Sequence, residues 1–481
     1  MKKMDKNDVI RSRNFGGVSP YYFTDESGST FVADNFPEIA QNIPEHQRVI
    51  DPVAVLELFC FNYVLGDRTI LKDLYRIPWH SELSSKGEVL RKNPIRHGYA
   101  LQEPKDIAID LIACLKKELL RYIDGRDKVF LLLSGGFDSR ISACVLKEIE
   151  KENNLEVIAL TWGDKDSRDV VYSAEISKIM DWQWIHLDYS ADDLWNNMEI
   201  ASTWGGGEVA AVHYHAMDKV KTIVNSSDLI IASSWGDSIG RAEFSGKHLP
   251  RLSRPKIENK HFLVKRSIAN EYMQVAQNDM ALAWSSEPDQ SETIMNELHM
   301  QENYMRRMIG HAMNYLGNFC TVEQSFTADE TVAKMWSLNP VCRTNGVYFE
   351  VFKRLNSQLY DFPWARTGIA PSGRIDERLF LKKKYHSWGA WMRTDLKPQL
   401  KSLILDGGLK NLGIFNMGQV ESVFNLWTKE SLDSLNYNET ILKLGLMEMV
   451  RRNYHVKHVG DVTTLSDRLF SKAYYCAKKY R

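Results

Sequence analysis

The residues best equipped for chemistry are Ser134-Gly135-Gly136-Phe137-Asp138-Ser139. Residues 129–133, just before them, form an apolar run too short for a buried helix, which predicts a central strand. After them Ile141, Cys144, Val145 and Ile149 fall on one helical face. A glycine-bearing turn between a strand and a helix aims backbone N–H groups outward at a helix N-terminus, where an anion is held. Paired glycines also serve merely to reverse a chain, so the pair alone does not decide between the two roles.

A second acidic turn, Ser233-Ser234-Trp235-Gly236-Asp237-Ser238, follows the apolar run 229–232. Taken alone it reads as a helix cap, and its place after a strand makes a metal site the competing reading. His213 and His215 flank Tyr214, but at i,i+2 on a helix they diverge, which argues against a metal pair. Gly205-Gly206-Gly207 is expected as a mobile loop over a cleft, and Lys382-Lys383-Lys384 as a solvated face or a cleft edge. The pattern G-x4-G-K-[ST] is absent: Gly240 to Lys247 has the wrong spacing and is followed by His248.

Periodicity places these residues on an alternating scaffold. Strands are expected over 129–133, 157–162, 184–187 and 229–232, with helices over 105–123, 169–180, 192–200 and 209–224. Alternating strands and helices imply an α/β fold with a doubly wound parallel sheet and right-handed crossovers. Ligands of such sheets bind at the carboxyl ends of the strands, where both turns fall. Residues 1–100 are expected as a small, strand-containing region, with a helical apolar pattern inside 53–78. Residues 101–400 form the main domain, and 401–481 a helical C-terminal extension of it.

SGGFDSR resembles the SGGxDS loop of the PP-loop ATP pyrophosphatases, most closely the synthetase domain of the asparagine synthetase family. The resemblance runs from about Val53 to the C-terminus, strongly at this loop and loosely elsewhere. It implies that Ser134, Gly135, Gly136 and Ser139 hold the phosphates of ATP and that Asp138 is a Mg²⁺ ligand. Mg²⁺ shared between a carboxylate and phosphate oxygens suits that hard cation. The second turn is similar to the family's SGEGADE turn, one residue shorter. By that match Asp237 is the second Mg²⁺ ligand, and Ser233, Ser234, Trp235 and Gly236 lie against the nucleotide. Leu160 and Thr161 match the strand end that touches adenine, although both Leu160 and Trp162 also fit an ordinary core. The family's transition-state lysine has no counterpart in PWARTGIAPSGRID. That role is left among Arg366, Arg374 and Lys382 to Lys384, with Lys384 and then Arg374 preferred.

The resemblance implies an AMP-forming ligase that adenylates a small-molecule or peptide carboxylate with ATP and Mg²⁺, then passes it to ammonia or an amine. Position 2 is Lys2 where the family's glutaminase cysteine would stand, so glutamine hydrolysis is not expected and a separate glutaminase partner is an option. Three other outcomes are compatible: an intramolecular amide-forming cyclase of the β-lactam synthetase or lasso type, a nucleic-acid-modifying pyrophosphatase, or a non-catalytic ATP binder. The chain has 481 residues, 44% hydrophobic and 26% charged, with net charge −1, which speaks against wholesale nucleic-acid binding. Six scattered cysteines without a CxxC pair suggest reduced thiols in a cytoplasmic protein. No apolar window is long enough to span a bilayer.

Overall fold

Five parallel strands form the centre: β8 (Lys128–Leu132), β9 (Glu156–Trp162), β10 (Gln183–Leu187), β11 (Leu229–Ala232) and β12 (Thr321–Gln324). A computed structural model describes residues 1–12, 15–92, 95–246, 256–284, 291–427 and 432–456. The protein is α/β. The strand order is β10-β9-β8-β11-β12, so the chain lays strands outward from β8 on one side and then returns to build on the other. The crevice beyond β8 and β11 is therefore where the order reverses, a position that splays the connecting segments apart.

Residue alternation explains how the sheet is buried on both faces. Val129, Leu131, Val157 and Ile231 pack with Leu111, Ile141, Val145 and Ile176 of the helices Pro104–Tyr122, Phe137–Asn153 and Arg168–Ile179. Phe130, Ile158, Leu160 and Ile230 point to the other face and meet Met217, Val220, Met313 and Leu316. The four predicted strands and the helices near 105–123, 169–180 and 192–200 form within a few residues of expectation, the last as Ala191–Thr203 behind a Ser190–Asp193 capping box. The fifth strand escapes prediction because Thr-Val-Glu-Gln lies at the sheet edge, half-buried, and needs no apolar run.

The helix predicted over 209–224 does not form. Two short 3-10 segments, Ala211–Tyr214 and Met217–Thr222, take its place, separated by His215 at φ 47°. A non-glycine residue there interrupts α-helical geometry and stores local strain. Gly205 to Gly207 is also not a mobile loop. Gly206 (φ 60°) and Gly207 (φ 77°) are buried, and a Cβ would lie 2.6 Å from the Phe36 ring or 2.7 Å from Val450. The triple glycine lets the chain pass through a packed core.

Residues 1–100 contain the strands β1 (Lys2–Lys3), β2 (Val9–Arg11), β3 (Tyr21–Thr24), β4 (Thr30–Ala33), β5 (Tyr75–Arg76), β6 (Ser81–Ser84) and β7 (Val89–Arg91). They make two antiparallel sheets, β1-β4-β3-β5 and β2-β6-β7. The helix Pro52–Phe61 is capped by Asp51, whose carboxylate accepts from Val53 N at 2.8 Å, and it ends at Asn62 in the left-handed region. Apolar on nearly every side, this helix is buried all round. It shares one core with C-terminal residues, among them Ile404, Val420, Ile441 and Leu446, so the two ends of the described chain are packed together. Of the helical extension expected at 401–481, residues 428–431 and 457–481 lie outside the described residues. No described helix is long and apolar enough to cross a membrane.

One core group sets a pH dependence. Lys443, on the helix Leu432–Tyr454, is buried against Phe59 and bonded to Asn62. Burial, followed by the charge of Lys260, brings its ammonium down to about 7. Between pH 7 and 10 the unfolded chain therefore binds more protons at this residue, and stability rises with pH by at most about 1.4 kcal/mol per unit. Lys443→Met should abolish that rise, seen as a wild-type minus variant difference in denaturant stability that shifts between pH 7 and 9.5. A flat difference would show that the lysine stays charged in the fold.

Candidate active site

A cavity of about 420 Å³ opens at the carboxyl ends of β8, β9 and β11. Ser134, Asp138, Ser139, Leu160, Thr161, Ser233, Ser234 and Asp237 all reach its wall, so most of the residues singled out in the sequence are gathered in one place.

The first turn pairs its own N–H groups internally, Ser134 N with Ser139 Oγ at 3.1 Å among them, and leaves the helix start beyond it open. Gly136 is the N-cap of the helix Phe137–Asn153 and offers no side-chain cap, which leaves the helix N-terminus to a ligand. Ser134 Oγ accepts from Gly136 N at 3.1 Å and shares a hydrogen bond of 3.1 Å with Ser139 Oγ, which holds the two hydroxyls side by side. The carbonyl of Gly135 is turned away, accepting from Arg140 at 3.1 Å and from Ala365 N at 3.0 Å. Arg140 also donates to the carbonyls of Phe362 and Pro363, tying the 362–365 segment to the turn. Gly135 must be glycine, since a Cβ would stand 2.8 Å from that of Ala365. Asp169, also on the cavity wall, is pushed up to about 6 by burial, against the pull of a hydrogen bond from Gly135 N–H.

The second turn divides its residues between support and site. Ser233 Oγ joins a buried hydroxyl cluster, 2.8 Å from Ser142 Oγ and 3.1 Å from Ser325 Oγ. Trp235 points away into the core, donating to Gln301 Oε1 at 3.0 Å and packing on Trp79, so its side chain is not on the cavity wall. Gly236 lies against Asp138, and its carbonyl accepts from Tyr348 OH at 2.8 Å. Asp237 faces the cavity with its Oδ1 shut off from solvent and without a hydrogen-bond partner. Burial, and behind it the charge of Asp138, pushes its carboxyl up to about 7.

Asp138 has a partner the sequence did not reveal. Arg241, only 5% exposed, grips its carboxylate with Nε to Oδ1 and NH2 to Oδ2, both at 3.1 Å. NH1 of the same guanidinium donates to Asn345 Oδ1 at 3.1 Å. Arg241 comes three residues after the turn that carries Asp237, and that nearness was the available signal.

The donor set fits a magnesium ion. Asp237 has an orphaned oxygen, and Asp138 keeps the lone pairs not used by Arg241. Among the described residues no group of three or more His, Cys, Asp or Glu gathers to make a closed protein cage. Two carboxylates beside an anion turn suit a cation that completes its shell with phosphate oxygens and water.

The far end of the cavity is aromatic. Thr161 Oγ1 donates to Leu133 O at 2.7 Å and so ties β9 to the end of β8. His213 and His215 both line the wall here, where a helix would have sent them apart. His215 stacks on Trp162 with centroids 5.4 Å apart, and its Nδ1 is 3.3 Å from Tyr385 OH. Burial brings His213 down to about 4 and His215 to about 3, which keeps both neutral at pH 7.

The two preferred cations stand elsewhere. Lys384 and Arg374 are exposed and neither is on the cavity wall, although Tyr385, next to Lys384, is. Lys382 pairs with Asp164 at 2.5 Å, and Arg366 with Glu243 at 2.9 Å. No protein-family model matches the chain, and no curated protein matches it.

Proposed function

We propose that this protein is an ATP-dependent, AMP-forming amide ligase of the asparagine synthetase type, built on a doubly wound sheet of the PP-loop kind. One observation carries this reading: an uncapped helix N-terminus, two paired hydroxyls and two carboxylates converge on one cavity where the strand order reverses. The Ser134 and Ser139 hydroxyls and the N–H groups of the uncapped helix start would hold the β- and γ-phosphates, and their fixed donors favour charge developing on departing pyrophosphate. Asp138 and Asp237 would hold Mg²⁺, which neutralises the triphosphate when bound. The neutral, aromatic end at Trp162, His215 and Leu160 suits a nucleobase. The substrate carboxylate would attack the α-phosphorus between these ends, and ammonia or an amine would then displace AMP. The thiols suit a cytosolic setting, and a separate glutaminase would supply ammonia if one is used.

The Arg241 clamp favours one other outcome, ATP binding without turnover, because it occupies a carboxylate the reaction needs for metal. Both are tested by incubating the protein with ATP, Mg²⁺ and a panel of carboxylates, with and without ammonia. Stoichiometric AMP and pyrophosphate are expected with one acid. Bound ATP without pyrophosphate would leave only the binding function, and failure to bind ATP would refute both.

A further inference from the structure

A second cavity, of about 380 Å³, meets the first at the ion pair of Asp138 and Arg241. Asp138 lines the nucleotide cavity, Arg241 lines the second one, and the two are bonded to each other. The other lining groups are Glu243, Arg366, Trp364 and the stretch Thr344 to Gly346.

This second space is attached to the phosphate turn. Trp364 stacks on Phe137, the first residue after the turn glycines, with centroids 4.4 Å apart and planes 14° from parallel. Ala365 N donates to Gly135 O at 3.0 Å. A ligand leaving the turn past Asp138 therefore meets these residues next.

Their chemistry is that of an oxyanion site. Arg366 lies over the Trp364 ring at 4.8 Å, is bonded through NH1 to Glu243, and is 56% exposed, so its planar fork can swing to a ligand. Arg241 supplies a second guanidinium, held in place by Asp138, by Asn345 and by Glu243 Oε2 at 3.1 Å. Thr344 and Asn345 are the N-cap and first residue of the helix Asn345–Leu355, whose N-terminal end carries partial positive charge. Two arginines and a helix N-terminus, itself capped by Thr344 Oγ1 accepting from Gly346 N at 3.1 Å, face Glu243 in the cavity and Asp138 at its border.

We infer that this cavity is a pyrophosphate subsite, a holding place for the product as it leaves the phosphate turn; the inference rests on the ATP reading above. The cavity touches the first one at Asp138, the metal-holding, polyphosphate end. A carboxylate substrate would instead be needed near the α-phosphorus, farther towards Thr161. Guanidinium forks match adjacent phosphate oxygens in pairs, which favours a condensed phosphate over a single carboxylate.

The test is equilibrium titration of pyrophosphate, and separately of AMP, into the wild type and the variants Arg366→Ala, Arg366→Lys and Asn345→Asp. Asn345→Asp keeps an oxygen for Arg241 and an acid favourable to the helix start, so the fold should persist, but it adds a negative charge to the cavity. Pyrophosphate affinity should fall at least about tenfold in Arg366→Ala and Asn345→Asp and stay within about threefold in Arg366→Lys. Equal affinity in all four proteins, or no binding by the wild type, would overturn the subsite. Succinate binding more tightly than pyrophosphate with the same dependence on Arg366 would overturn it as well. If AMP fails to bind while the pyrophosphate pattern holds, the nucleotide reading falls and the anion subsite stands; if AMP binds and the pattern is absent, the subsite alone falls.

Discussion

Asp138→Ala is expected to remove pyrophosphate release and to lower stability at the same time. The carboxylate faces the cavity at the start of the anion-turn helix, so under the proposed function losing it would take away a metal ligand beside the phosphates. Loss of one such charge-stabilising contact lowers turnover by about a hundredfold to a thousandfold. A sequence-only view predicts an undisturbed fold, because the residue lies at a strand end and not in a core. The structure corrects this. Arg241 would be left in the interior without its bidentate partner, and breaking a buried pair from one side costs about 3–5 kcal/mol. Asp138 keeps some solvent contact, with 23% of its side chain exposed, which places the cost at the low end. The double variant Asp138→Ala/Arg241→Met separates the two effects. It removes both charges, so it should melt near the wild type while still releasing no pyrophosphate. Pyrophosphate release at the wild-type rate from the double variant would remove Asp138 from the mechanism.

The parts of this site that are legible in sequence are the contiguous ones. SGGFDS announces itself because glycine, hydroxyl and carboxylate lie within a single turn, and β8, β9 and β11 are visible as apolar runs since both of their faces are buried. Arg241, Asn345 and Trp364 were not legible, because each comes from a different segment and gains its meaning only from the neighbour it meets in space. The histidines illustrate the same limit from another side. Their placement followed from a helical period over 209–224, and the break at His215 changed the direction of both side chains. Likewise the shared core of the N-terminal sheets and the C-terminal helices leaves no local trace, since an apolar helix such as Pro52–Phe61 does not state its partner. The preference for Lys384 and Arg374 came from the family resemblance and from ammonium chemistry, neither of which positions a side chain, and both residues are exposed and off the cavity wall.

Gly236→Ala should disable the site through space alone. The glycine backbone has no need of the left-handed region, so the argument is contact: an alanine Cβ would stand 2.5 Å from Asp138 Cβ and 2.8 Å from its Oδ1. Real Cβ atoms do not approach that closely, and one of the two turns must yield. The second turn is pinned on both sides, by Gly236 N to Ser233 O at 3.2 Å and by Tyr348 OH to Gly236 O at 2.8 Å. Asp138 is pinned in turn by Arg241. Whichever moves, the two carboxylates lose their mutual placement, and overpacking of this kind costs about 1–3 kcal/mol in stability. Displacement of a catalytic group by about 1 Å lowers turnover by about a hundredfold. Gly317→Ala is the matched control, since nothing lies within 4 Å of the added methyl and its φ is ordinary. Pyrophosphate release and thermal melting measured on both variants decide the matter: the control should match the wild type, and Gly236→Ala should lose turnover out of proportion to its fall in melting temperature. If Gly236→Ala keeps wild-type values for both, the two acidic turns are not in working contact, and the joint metal site of Asp138 and Asp237 must be given up.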